Sequence, residues 1–544
     1  AEGVRTPPPG LRLHGESIPS LGLSECYRYL GVGDGFDHAA VDFQLDPKLQ
    51  ELRGEAATLL QSGLRPTQIV KAIKVHIYSK LEYAFRHVKV TRPALDRWDA
   101  WMRRQLRHLL RLPQTASTAF FYAPTSHGGL GLLPLADQLA AIQVGHAWQM
   151  LHSPDTTVTA IAREQVVQVA RRRYRLDEDY WRERQDELIV AFLQGSLASS
   201  PAATRRNQTH DVTSLWSEVQ RHVKRLSLTF GIAPDVAPTD ATEADDDAPD
   251  PPTTPTLTTS THPEPLERKN VMAQLKLHVK RRYAASWKLQ EDQGRTVAAH
   301  GGAGSAFLTR SGGLTDRAYR FAVAARLNQL PTRAVLKRRK QGNVTRCRQQ
   351  GCPQQTETMA HVLNHCTAGN DSIRARHDRV LDSIAAEVRK AKRRGDVELR
   401  VNQSVAQAPQ STQRPDLQLV DHDRKRVVLA DLVVAFGADA AGRKSTGLDA
   451  AHAAKLVKYT PLMRALQQRG WSTTLTAIAY GSLGSVRRSN YATYTETLGL
   501  SKRAAKRLDR TCSLTCIRAS AGIWYAHAAS TNGARRARPP PQTE

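Results

Sequence analysis

The chain has 544 residues, of which 40% are apolar and 24% charged, so it can build real cores and should hold about two to four folded units. No apolar run reaches the roughly 20 residues of a membrane span, no signal peptide opens at Ala1, and six cysteines are too few for a disulfide scaffold. Membrane and small secreted classes are therefore excluded and a reducing compartment is expected; a start without Met fits a fragment whose own N-terminus lies upstream.

The 78 Lys and Arg outnumber the 51 Asp and Glu, for a net charge of +27. The excess is spread over several segments, among them RRQLRHLLR, KLHVKRRY, LKRRK, RKAKRR and RAAKRLDR. A long groove that neutralises a polyanion needs that distribution, whereas a basic tail does not, so nucleic acid is the expected partner.

In chain order, PTQIVKAIKVHIYSKLEYAFRHV places Ile69, Ile73, Ile77, Leu81 and Phe85 in one stripe, which predicts a long amphipathic helix beginning at Pro66. A second helix is predicted over Pro93 to Leu112, combining Trp98, Trp101, Leu106 and Leu109 with five arginines. SHGGLGLLPL (126–135) lacks the strand–turn–helix context of a nucleotide-binding loop and reads as a structural turn. Residues 233–265 hold eight acids, no Lys or Arg, and many Pro and Thr, so a flexible, extended linker is expected there. Helix returns over 267–340. From about 414 short β-rich runs (DLQLV, RVVLADLVVAF, TTLTAIAY) surround one helical stretch, an α/β pattern distinct from the helical part before it.

Two constellations carry chemistry. In CRQQGCPQQTETMAHVLNHC, Cys347 and Cys352 stand four residues apart, His361 follows after eight and Cys366 after four more. Thiolates and imidazole are zinc's preferred ligands, and two close pairs joined by a short loop can close a tetrahedron. Gly351 and Pro353 supply turn chemistry to the first pair, and a short helix MAHVLNHC carries the second. His365 competes with Cys366 for the fourth position, being one helical turn from His361. With four protein ligands such a zinc is structural, and it would fold a module that has little core of its own. Cys512 and Cys516 lack a second ligand pair and read as buried thiols on a helix.

The second constellation is RPDLQLVDHDRKRVVLADLVVAF. Leu417–Val420 and Val427–Phe436 read as strands joined by the polar segment Asp421–Arg426. Centring the hairpin there opposes Val420 to Val427 and Asp416 to Asp431, with Cβ atoms about 4.5–5.5 Å apart on one face. Two carboxylates that close repel unless a divalent cation sits between them. Asp431 interrupts an otherwise apolar strand, where an ionised group without a partner is costly. A turn acid after Pro415 and an acid at a solvent edge is the plainer reading of the same residues. The next helix brings Lys455 and Lys458 onto one face with Tyr459 beside them. Two acids holding Mg²⁺, with a lysine, is the equipment of phosphodiester hydrolysis.

With these residues in view, the chain resembles the C-terminal part of a site-specific non-LTR retrotransposon protein of the restriction-like-endonuclease class, the group typified by elements inserting into ribosomal DNA. ECYRYLGV (25–32) resembles the strand leaving the reverse-transcriptase palm, and LRLPQTASTAFFYAPTSHGGLGLLPL (110–135) the segment beyond the thumb. Cys347, Cys352, His361 and Cys366 resemble the family's CCHC knuckle. Pro415-Asp416, Asp431 and Lys455-x-x-Lys458-Tyr459 resemble its endonuclease motif, and GSLGSVRRSN (481–490) the stretch that follows.

The resemblance implies a multidomain α and α/β protein. It would comprise the end of the palm (1–32), a helical thumb and nucleic-acid-binding region (33–232), the acidic linker (233–265) and a helical linker region (266–345). After these would come the zinc knuckle (346–370), an α/β restriction-like, PD-(D/E)xK-type nuclease domain (371–500), and a basic C-terminal helix and tail (501–544). It implies target-primed reverse transcription in the nucleus: target DNA is nicked with Mg²⁺ and the exposed 3′ hydroxyl primes copying of element RNA. Asp416, Asp431, Lys455, Lys458 and Tyr459 would form the cleavage site. Val433 occupies the usual place of the nuclease lysine, so a displaced lysine, Lys455 or Lys458, must serve. The adjacent aspartates at Asp245–Asp247 lie in the acidic linker, so the polymerase site is expected to be missing from this chain. A non-catalytic scaffold from a decayed or host-adopted element is the alternative.

Overall fold

The computed structural model describes residues 12–17, 22, 25–29, 32–35, 45–87, 92–206, 214–232, 255–260, 264–289, 293–391, 397–437 and 446–536. Most of the acidic linker, parts of the supposed palm end and the last eight residues lie outside them. The described chain is mostly helical with small sheets, and none of its described helices is long and apolar enough to cross a membrane. It divides into two units. One gathers 1–64, 71–102 and 133–281; the other gathers 65–70, 103–132 and 282–544.

The long helix expected from Pro66 is present but not uniform. An α-segment Pro66–Ala72 passes into a π-turn Ile73–Ile77, and an α-segment Leu81–His87 follows. The cause lies in the spacing. Apolar residues recurring every four positions drift about 40° per step around a 3.6-residue helix, and one wide turn takes that drift back. Ile69, Ile73, Ile77, Leu81 and Phe85 all stay buried as a result.

The first unit is organised by α1 (Leu135–Leu151), whose run LADQLAAIQVGHAWQML is apolar on nearly every side and so becomes the buried centre of the unit. Against it pack α2 (Thr156–Arg173) and α4 (Leu215–Leu226), and α3 (Gln185–Gln194) packs on those two. Buried Asp137 on α1 is ion-paired to Arg225 of α4, Oδ1 to Nη2 at 2.7 Å. Strand β1 (Leu228–Ile232) pairs antiparallel with β2 (Pro255–Thr259). This corrects the end of the expected linker: alternate residues Pro255, Leu257 and Thr259 are buried, giving this short stretch the apolar face that the acidic part lacks.

The second unit contains a four-stranded sheet. Helix α5 (Asn370–Ala391) leads to β3 (Val397–Val401), β4 (Leu417–Asp421) and β5 (Arg426–Ala435). Helix α6 (Gly447–Gln468), β6 (Ser472–Gly481) and the 35-residue α7 (Lys502–Arg536) follow. The order across the sheet is β6-β5-β4-β3, with β5 and β6 parallel and the other pairs antiparallel. Alternation along the strands creates two cores. Leu417, Leu419, Val428, Ala430 and Leu432 pack with Val380, Ile384 and Val388 of α5 and Leu508, Cys512 and Cys516 of α7. Val420, Val427 and Leu429 pack with Tyr459, Leu462 and Leu466 of α6. The C-terminal helix, expected as a separate basic element with a tail, is thus a wall of this core, because its buried stripe faces the sheet.

Within the core on the α5 and α7 side, the Tyr480 hydroxyl donates to Asp509 Oδ1 at 2.7 Å and lies 2.7 Å from the Tyr494 hydroxyl. Burial pushes the Asp509 carboxyl up to about 6, against the hydrogen bonds from Tyr480 and Asn490 that hold it down. Its folded-state value therefore lies above its ordinary one. The stability it contributes is full while protonated below about pH 4 and is lost as pH rises through about 6, at most about 3 kcal/mol. Asp509→Asn should remove this slope: the urea midpoint of the variant should gain on that of the parent between pH 4 and 7. Parallel curves would contradict the burial argument.

Candidate functional site

The four knuckle residues converge. Gly351, at φ +78°, turns the chain between Cys347 and Cys352, and the Cys347 N–H donates to the Gln354 carbonyl at 3.0 Å. His361 opens and Cys366 closes a single wide helical turn. The donor atoms of Cys347, Cys352, His361 and Cys366 all lie within 4.8 Å of one another and all four residues are buried. Cys347 Sγ is 4.0 Å from Cys366 Sγ, and Cys352 Sγ is 3.5 Å from His361 Nε2. A tetrahedron with Zn–S bonds of about 2.3 Å and Zn–N bonds of about 2.0 Å separates its donors by roughly 3.5–3.8 Å. The cluster could therefore hold zinc. His365 is exposed, which leaves the fourth position to Cys366. Burial pushes the Cys347 thiol up to about 12.

Behind the cluster stands a charged network that sequence reasoning missed. Glu357, fully buried, accepts from the Arg348 guanidinium at 2.7 Å and from the Arg348 and Arg333 N–H groups at 2.9 and 3.0 Å. Burial alone would raise its carboxyl, but His527 and these donors hold it far below the usual carboxylate range. His527 Nε2, from α7, lies 3.2 Å from Glu357 Oε2 and 3.9 Å from Cys347 Sγ. His527 is 180 residues downstream of Cys347, a separation at which spacing carries no signal.

On the sheet, the observed register pairs Val420 with Val427 and Leu417 with Ala430, as the sequence predicts. Asp416 precedes β4 by one residue. Its N–H donates to Asp431 Oδ1 at 3.3 Å, while its own Oδ2 accepts the Leu432 N–H at 2.7 Å. Both residues are buried, which removes the reading of Asp431 as an acid at a solvent edge. Asp431 shares the α6 face of β5 with Val427 and Leu429 by alternation. Val433 follows on that same face. From α6, Lys455 reaches Asp431, its Nζ 2.5 Å from Oδ2. Lys458 turns away, its Nζ 3.0 Å from the Tyr459 hydroxyl and 4.6 Å from that ring's centroid. Tyr459 is buried and donates to the Arg414 carbonyl at 3.0 Å, pinning the segment just before Asp416.

The two acids differ. Burial and the neighbouring Asp416 charge push Asp431 up, against Lys455. Burial also works against Asp416, but hydrogen bonding from His377 carries it below its ordinary value. His377, on α5, lies 3.3 Å from Asp416 Oδ2 and 3.2 Å from the Leu432 carbonyl. Burial opposes its charge, yet Asp416 and Asp378 raise it. A lone histidine in a helical run far from the acids had no signal in the sequence.

Comparison with known proteins finds relatives of part of the chain. Three Pol polyprotein sequences of the type-1 retrotransposable element R2 from Popillia japonica match the chain. The first is 26% identical over 147 residues, which is 27% of this chain and 30% of that relative. Another is 26% identical over 149 residues, 27% of this chain and 24% of the relative, and a third 28% identical over 136 residues, 25% and 18%. Over about a quarter of its length the chain is similar to R2 retrotransposon polyproteins. The matches span less than a third of those R2 sequences. No family model matches the chain.

Metal analysis of the purified protein should find about one zinc per chain. Cys347→Ser and Cys366→Ser should lose it and His365→Ala should keep it. Full zinc in the cysteine variants, or loss in His365→Ala, would contradict the ligand set.

Proposed function

We propose that residues 371–500 form a restriction-like nuclease domain that nicks target DNA by magnesium-dependent phosphodiester hydrolysis, in a protein that acts in target-primed reverse transcription in the nucleus. The helical region 33–232 would serve as thumb and nucleic-acid-binding region, with target DNA and element RNA as partners. The observation that carries this reading is the convergence of Asp416, Asp431 and Lys455 at one end of a buried strand pair.

The residues suit a divalent cation: two oxygen donors of like charge are held together although each raises the cost of ionising the other. Magnesium bound by Asp416 and Asp431 would polarise the scissile phosphate and acidify a water. The chain's own groups do the rest. Hydrogen bonds from the Leu432 N–H and His377 orient Asp416 and keep it ionised. Lys455 offsets the charge of Asp431 and brings an ammonium group to where negative charge develops on the phosphoryl oxygens. Tyr459 fixes the Arg414 carbonyl and also bonds to Asp431, helping to hold that carboxyl down, while Lys458 contacts Tyr459 rather than the acids.

Nicking of supercoiled DNA with magnesium tests this. Asp431→Ala and Lys455→Ala should each lower the rate about a hundredfold or more, while Lys458→Ala should stay within about threefold. Equal nicking by Asp431→Ala and the parent overturns the enzyme reading, and DNA binding with no nicking by any form supports a scaffold. His377→Ala removes the group that holds Asp416 low, so the acid-side fall of the pH–rate profile should move to higher pH; an unmoved profile would deny His377 that role.

A further inference from the structure

A second site lies in the same unit, apart from both constellations. A half-open cavity of about 760 Å³ is lined by the loop 113–117, Leu289 just after the helix Val271–Lys288, the start of the helix Gln293–His300 and the stretch 326–341. That size suits a small ligand or a single nucleotide unit. Gln293 faces it, 1% exposed, and neither the oxygen nor the nitrogen of its side-chain amide has a partner among the described residues. Leaving both ends of a buried amide unsatisfied is costly, so the arrangement points to a ligand that pairs with them.

The wall around that amide is cationic. Arg338 and Arg339 line the cavity, and burial together with the Arg338 charge lowers Arg339 from its ordinary value. Arg339 is fixed in place by the Gln329 carbonyl at 2.9 Å, and Arg338 by the Asn328 carbonyl at 2.9 Å. Gln114 and Gln341 sit at the exposed rim, and no carboxylate is among the described lining residues. Beside Arg338, Lys337 and Lys340 are also exposed. A side-chain amide matches the paired donor and acceptor on a base edge, and arginines match phosphate.

We propose that this cavity receives one unpaired nucleotide of a nucleic-acid strand, its base edge on Gln293 and its phosphates along Arg338 and Arg339. The flanking lysines favour a strand over a free mononucleotide, since phosphates on either side of the inserted unit then meet positive charge. A base inside a duplex cannot reach Gln293 without leaving its stack, so the site discriminates single strands from duplex.

The proposal does not depend on cleavage and is tested without magnesium. Fluorescence anisotropy of the full chain is measured with labelled single-stranded DNA, single-stranded RNA and a blunt duplex of equal length. Gln293→Leu should weaken binding of at least one single strand about tenfold and leave duplex affinity unchanged; the strand that loses more identifies the source of the nucleotide. Gln341→Ala, at the exposed rim, should weaken the same strand in the same direction and decides the matter if Gln293→Leu does not fold. Unchanged single-strand affinity, or equal loss for strand and duplex, overturns the proposal, and neither result alters the outcome expected for Asp431→Ala in nicking.

Discussion

Two carboxylates held against each other at the end of a buried strand pair are the constraint from which the second unit is best understood. Asp416 and Asp431 each raise the cost of ionising the other. The surroundings meet that cost unequally, with His377 and the Leu432 N–H on one acid and Lys455 on the other. Helices on both faces of the sheet are needed for this. α5 supplies His377 and α6 supplies Lys455, so the site exists only when both layers are packed. The two cores fix those layers, one through Val380, Ile384 and Val388 and the other through Tyr459, Leu462 and Leu466.

The cysteine–histidine cluster is tied to the same framework. His527 and Cys512 lie on one helix, so the element that walls the core of the sheet also reaches the back of the cysteine–histidine cluster. The Asn364 side-chain amide donates to the Val434 carbonyl at 2.8 Å, joining the ligand-bearing turn to β5 three residues beyond Asp431. Loss of the metal should therefore be felt in the sheet, because a buried network of Glu357, Arg348 and His527 loses the partner it surrounds.

What the sequence made legible follows the range over which its signals act. Period-two alternation and a polar six-residue connection were enough to place Val420 opposite Val427, and the acids with them. Ligand spacing was enough to find all four members of the cluster. The choice between Lys455 and Lys458 was not legible, since it depends on how α6 rotates over the sheet. Nor were His377, Glu357 and His527, whose roles arise from packing between segments distant in sequence. The strand Pro255–Thr259 was hidden by the composition of the acidic stretch before it. The π-turn at Ile73–Ile77 was implied by four-residue spacing but is visible only once the stripe must stay buried.

Whether the acid pair grips a cation can be read without any nucleic acid by calorimetric titration of manganese into the zinc-loaded protein. The parent should bind one ion per chain, with binding abolished by Asp431→Asn while zinc content stays unchanged. Identical manganese binding by parent and variant would contradict it.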